Sequence, residues 1–450
     1  MRTLISNVTI VTNDTGNRVL TDCAVAIDGA YIRDVGPAAE LAARYPDYDR
    51  LDGSGRVLMP GFVNVHMHFY GTYARGLALK STPHNFGEIL QQLWWALDKV
   101  LDDDAVYYST LLPAMLAAKK GVTSVIDHHA SPNAVAGSLD RIEEALALVG
   151  LRGLLCYEVS DRDGPAIRAA GIAENARYIR RSQAARQENA DHLFDGMMGL
   201  HASFTLDDDS LDQAVEMASS AGKGCHIHML EDLCDETFTR EKYGRGVVER
   251  LAHFGVLGPG SIAAHGIFLD EATRTLLAES GAIVVHEAQS NMNNAVGRAD
   301  VFALLEQGIT VGIGTDGMTP DLRREAMTGY LMHKHHLSDN NAGWGEFETM
   351  TLKNNPRIYE QLTGQKVGQV TEGYLADLIL VDYYPPTVFD GGNFWGHFLF
   401  GLVDADVDTT IINGKVVMQN KVIPGLDEAA IAREAQKVGE GVWQRYKAGG

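Results

Sequence analysis

Cysteine is scarce in this sequence: there are four in 450 residues, Cys23, Cys156, Cys225 and Cys234, and each stands alone. With no CxxC pair and no framework spacing, a small cross-linked secreted scaffold is excluded. Isolated thiols fit a reducing cytoplasm, and each is expected as a small buried apolar residue rather than a nucleophile. Also missing is any run near the roughly 18 apolar residues of a membrane helix. The first residues, Met1 to Asp14, alternate apolar and polar positions like a strand and lack the apolar run of a signal peptide. Basic residues are few, 38 Lys and Arg against 59 Asp and Glu, for a net charge of -21. That balance argues against nucleic acid or an anionic membrane surface as partner. A cytoplasmic protein acting on a small molecule is the expectation.

Apolar residues at 45% and charged residues at 22% describe an ordinary globular chain. The length exceeds one usual core but suits a large α/β barrel with an accessory domain. Residues 1–57 read as short strands, Leu4 to Thr12, Cys23 to Ile27 and Tyr31 to Val35, with Asp28-Gly29 as a turn signal. From there, apolar strand-like runs alternate with longer helical patterns, as parallel βα units require. The candidate strands are Val57 to Val65, Val122 to Ile126, Gly153 to Tyr157, Gly196 to Leu200, Gly224 to Met229, Ser261 to Ala264, Ala282 to Val285 and Thr310 to Ile313. Strand signals return at Asp377 to Val381, Thr409 to Ile412 and, after the hairpin pair Asn413-Gly414, Lys415 to Gln419. The fold predicted is therefore an α/β (β/α)8 TIM barrel over 58–365. A small discontinuous β-sandwich is built from 1–57 and 366–425, and a final amphipathic helix follows within 426–450.

Catalytic groups of such a barrel project from the carboxyl ends of its strands, so polar residues closing apolar runs are informative. The first strand ends in His66-Met67-His68, whose alternate imidazoles share a face and can share an ion. By itself an HxH is weak. The fifth ends in His226-Ile227-His228 with Glu231 beyond, the sixth in His265, and the eighth in Asp316. Four strand ends carrying metal-ligand types are hard to obtain as unrelated core residues.

With these residues in hand, the run Met59-Pro60-Gly61-Phe62-Val63-Asn64-Val65-His66-Met67-His68 and the later histidines and aspartate resemble the amidohydrolase superfamily. Glu372-Gly373-Tyr374-Leu375-Ala376-Asp377-Leu378 resembles its return into the small β-domain. Within the superfamily, the chain is most similar to the cytosine deaminase and chlorohydrolase-like branch. The runs Asp127-His128-His129-Ala130-Ser131-Pro132 and Ser290-Asn291-Met292-Asn293-Asn294 resemble its SsnA-type aminohydrolases. The resemblance implies His66, His68, His228 and Asp316 as metal ligands, with Glu231 and His265 beside them as proton carriers. Binuclear members carry a modified lysine at the end of the fourth strand, where this chain has Leu200-His201-Ala202. One divalent ion is therefore expected, zinc with ferrous iron as the alternative. The implied chemistry is attack by a metal-bound hydroxide, with Asp316 or His265 taking the proton and Glu231 delivering one to a ring nitrogen.

Residues expected against the substrate are His129, Glu158, His201 and Asn291; which of Asp127, His128, His129 and Glu158 faces it stays open. His226 is expected on the opposite face from His228, packed or supporting a ligand. The segment Phe69 to Trp95, with Tyr70, Tyr73, Arg75, His84, Trp94 and Trp95, is expected to cover the site. His333 to His336 read as a polar helix face. The leading function is hydrolytic deamination of a purine-, pteridine- or pyrimidine-like ring. Cyclic amide hydrolysis or dechlorination on the same site is the alternative, and a non-catalytic ligand-binding barrel is a third reading. A homodimer or higher homo-oligomer is expected on general grounds.

Overall fold

The computed structural model describes residues 2–449. Eight parallel strands form the barrel in chain order: Phe62–Met67, Val122–His129, Arg152–Val159, Met198–Ala202, Cys225–Met229, Ile262–His265, Ile283–His286 and Val311–Ile313. A parallel bridge between Met67 and Asp316 brings the last strand back to the first. Each run is apolar because a parallel strand is covered by the barrel interior on one side and helices on the other. The second and third strands extend past the predicted ends, so Asp127, His128, His129 and Glu158 lie within strands rather than loops.

The run Val57 to Val65, expected as one strand, is divided between two sheets. Val57–Pro60 pairs with Leu378–Val381 in the small domain, and Phe62 opens the barrel. Gly61 makes the transition; a Cβ there would come within 2.1 Å of Thr123. The small domain is discontinuous as expected: Arg2–Val11, Val19–Asp28, Tyr31–Pro37, Asp49–Asp52 and Val57–Pro60 join Leu378–Val381, Val407–Ile412 and Lys415–Met418 in one eight-stranded sheet. Its strands have a core of their own, including Ile5, Val25, Leu58, Leu378 and Ile411. Asn413 and Gly414, both at positive φ, turn the final hairpin. The turn read at Asp28-Gly29 falls one residue later, since Asp28 is still paired with Tyr31.

Arg152, fully buried, ties barrel to sheet: it donates to both carboxylate oxygens of Asp377 (2.9 and 3.2 Å), to Gln365 and to Asn413. The closing helix, Glu428–Ala448, lies over the covering segment, where Trp443 Nε1 donates to the Tyr73 carbonyl at 2.8 Å and Tyr446 Oη to that of Gln92 at 2.5 Å. Among the described residues, no helix is long and apolar enough to cross a membrane.

Candidate active site

At the carboxyl end of the barrel, one ligand atom from each of His66, His68, His228 and Asp316 lies within 4.8 Å of the others. Asp316 Oδ1 is 2.9 Å from His68 Nε2 and 3.5 Å from His66 Nε2, and the Nε2 atoms of His68 and His228 are 3.0 Å apart. The backbone builds this approach. Asp316 N donates to the His66 carbonyl at 3.1 Å and His68 N to the Asp316 carbonyl at 3.2 Å. Gly314 permits it, because a Cβ there would stand 2.7 Å from that of His66. Asp316 and His265 both occupy the left-handed region, at φ of 51° and 74°. For residues other than glycine such conformations cost about 1–3 kcal/mol and persist where the surroundings impose them.

Each of the three imidazoles is oriented through its other nitrogen. His68 Nδ1 donates to the His128 carbonyl at 2.5 Å and His228 Nδ1 to that of His201 at 3.0 Å. His66 Nδ1 lies 2.8 Å from His226 Nε2. His226 therefore shares the inner face with His228, correcting the expectation that it faces the other way: side chains two apart on a strand return to the same side. With Nδ1 engaged, His68 and His228 turn Nε2 toward each other, and buried His66 Nε2 has no hydrogen-bond partner. A cation among three imidazole nitrogens and a carboxylate satisfies all of them, so the donor set fits a divalent metal. Burial pushes His66 down to about 3, which keeps it neutral as a ligand must be. Burial opposes ionisation of Asp316, yet the His66 and His68 imidazoles against it hold its carboxyl well below the usual range.

Beside this set stand Glu231 and His265, 3.5 Å apart (Oε2 to Nε2), and both group with Asp316. His265 Nδ1 donates to Asn291 Oδ1 at 2.9 Å, which leaves the lone pair on Nε2, toward Glu231. Glu231 Oε1 accepts from Asn294 Nδ2 at 3.1 Å, and burial raises its carboxyl to about 7. Three supporting residues were given no role in the sequence reading. Ser290 donates to Asp316 Oδ2, Asn294 holds Glu231, and fully buried Glu287 accepts from the His265 backbone N at 3.0 Å. The signal was available, since all lie in the polar run 287–294 that closes the seventh strand.

A cavity of about 350 Å³ opens onto His68, His228, Glu231 and Asp316. The covering segment walls it with Tyr70, Phe86, Leu90, Trp94 and Trp95, and Phe204 adds an aromatic face. Of the four residues expected against substrate, Glu158 and His201 line the cavity. His129 and Asn291 do not: His129 is buried with Nε2 on Ser131 Oγ at 2.9 Å, and Asn291 sits behind His265. His128 is likewise behind the wall, 3.2 Å from Glu158 Oε2. His333 is buried against His286, at 3.2 Å, rather than on an exposed helix face.

The chain matches the amidohydrolase family over residues 57–417. It belongs to that family. A shorter stretch, 24–47, matches a bacterial imidazolonepropionase-like composite domain. It is 32% identical to a 5-methylthioadenosine/S-adenosylhomocysteine deaminase of Pelotomaculum thermopropionicum, across 96% of this chain and 97% of that one. With a 5'-deoxyadenosine deaminase of Methanosarcina barkeri it shares 30% identity over 99% of both. An adenosine deaminase of Xanthomonas campestris, solved with bound zinc, superposes with a TM-score of 0.83 at 23% identity, covering 98% of each chain. As an amidohydrolase the chain is a hydrolase of carbon–nitrogen bonds other than peptide bonds, with a metal cofactor.

Proposed function

We propose that this amidohydrolase deaminates a purine-like heterocycle of the adenosine class, using one zinc ion held by His66, His68, His228 and Asp316. The observation that carries the reading is the convergence of this ligand set with Glu231 and His265 at the floor of an aromatic-walled cavity. The names of its relatives supply the adenosine class. The absence of a lysine at Leu200-His201-Ala202 supports one ion rather than two.

A divalent ion bound there supplies Lewis acidity and brings the pKa of water from about 16 toward 7. The chain's own residues do the rest. Asp316 or the Nε2 lone pair of His265 receives the proton of the attacking water. Glu231, raised to about 7 by burial, gives one to the ring nitrogen beside the carbon under attack; the proton taken from water passes to the amino group, which leaves as ammonia, and the remaining hydroxyl proton returns to Glu231 as the carbonyl forms. The tryptophan and phenylalanine walls stack on a flat ring and exclude water. Glu158 and His201 bind the substrate directly, whereas Asn291 and His129 act from behind the wall.

Ammonia release is the test. Zinc-loaded protein incubated with adenosine, 5'-deoxyadenosine, methylthioadenosine, guanine, cytosine and a pterin is expected to release ammonia from a purine compound first. No ammonia from any of them with the metal bound would sink the proposal.

A further inference from the structure

Two acceptors on the cavity wall lack a donor from the protein. Thr205 has one hydroxyl proton, and it goes to the Ala202 carbonyl at 3.0 Å. Its oxygen therefore accepts from His201 Nδ1, 2.7 Å away, which fixes His201 in the tautomer with a lone pair on Nε2. That nitrogen stands 3.7 Å from Glu158 Oε1, and neither has a proton to offer the other. Behind the wall, Glu158 Oε2 lies 3.2 Å from His128 Nδ1 with no hydrogen bond between them, His128 Nε2 being on the His226 carbonyl at 3.1 Å, and Arg162, anchored on Asp98, reaches to 3.8 Å of Oε1. The Arg162 guanidinium also lies over the Trp95 ring, 5.4 Å from its centre. Further along the cavity stand Glu231, Asp232, Asp235 and Asp316 against one cation, Arg75.

We propose that Glu158 Oε1 and His201 Nε2 form a donor-reading subsite. It binds a substrate edge bearing N–H or O–H donors and discriminates against the matching edge that lacks them. Adjacent acceptors with no protein donor are costly to bury, so only a ligand that brings protons satisfies them. The donors are either ring N–H groups of a lactam-type base or hydroxyls of an attached sugar; both present the same chemistry. The inference rests on the heterocycle-deaminase reading for the occupant of the cavity.

Titration calorimetry on the zinc-loaded full chain separates the two sources. Adenosine is compared with 2',3'-dideoxyadenosine for the hydroxyls, and isoguanine with adenine for the lactam N–H. In at least one pair the donor-bearing member is expected to bind about 10- to 100-fold tighter, the weight of one or two hydrogen bonds to a charged acceptor. The preference is expected to shrink about fivefold or more in Glu158→Gln and in His201→Phe, which removes the second acceptor and leaves Glu158 with its partners. Both pairs binding within about twofold, no binding by any of the four, or an unchanged preference in both variants would overturn the subsite. Ammonia is measured on the same samples. Discrimination without ammonia release sinks the deaminase reading and leaves the subsite standing; ammonia release without discrimination does the reverse.

Discussion

Glu231→Gln isolates the proton-delivery step, because the substitution changes very little else. Gln keeps an oxygen to accept from Asn294, now at 3.1 Å, and its amide nitrogen falls where Oε2 stands 3.5 Å from His265 Nε2, which has a lone pair to receive it. The four side chains of the proposed metal site are not altered. What is lost is the transferable proton. General acid–base catalysis by a positioned side chain contributes about 10² to 10⁴ in rate, which is about 2.7–5.4 kcal/mol of barrier at roughly 1.36 kcal/mol per tenfold. The expected result is a kcat lower by that factor, KM within a few-fold, and full metal content. The pH profile adds an independent sign. Burial raises Glu231 to about 7, so the acid form it needs is present below that value and disappears above it; a nearby dication pulls the pKa back down. The activity is therefore expected to have an alkaline limb at or below pH 7 that disappears in Glu231→Gln. Ammonia release across pH 5 to 9, with metal content measured on the same samples, checks both. Undiminished kcat in a metal-replete variant would refute the proton-delivery role.

Three further outcomes follow from the same geometry. Asn291→Ala removes the nearer of two acceptors at His265 Nδ1, leaving Glu287 Oε2 at 3.3 Å; kcat should fall about 10-fold with metal content intact, and Asn291→Asp, which keeps an acceptor, should restore much of it. Chelation leaves three buried imidazoles and Asp316 without a shared cation. Zinc at a thousandfold over its Kd contributes about 4 kcal/mol, so Tm is expected to drop by several degrees with chelator and recover on adding zinc. An unchanged Tm would argue against a preformed metal site. Arg152→Ala strands buried Asp377 between barrel and small sheet. Urea unfolding should show a loss of about 3–5 kcal/mol, with activity per folded molecule retained.

Much of the architecture was readable in the sequence because a parallel strand buried on both faces must be a short apolar run, and a helix packed against it must be apolar on one side only. The eight runs, the discontinuous small domain and the histidines and aspartate at strand ends all appear as local pattern. Gly61 shows where local pattern stops. Nothing in Val57 to Val65 separates residues paired with Leu378–Val381 from residues opening the barrel; only the Thr123 side chain against Gly61 marks the switch. Glu158 and His129 likewise read alike in sequence, as polar residues near strand ends. Cavity shape puts the first on the wall and the second behind it.

Ligand types and their strand-end spacing are thus properties of the sequence itself, since a strand's two-residue period carries them. Charge states, tautomers and access to the cavity belong to the tertiary structure. They depend on atoms from distant segments: the His128 and His201 carbonyls that turn His68 and His228, Asn291 that fixes His265, and Thr205 that sets which nitrogen of His201 meets a substrate. The residue types of the candidate site were therefore legible from the chain alone, while their protonation and access are decided by burial and by which buried group has a proton left to give.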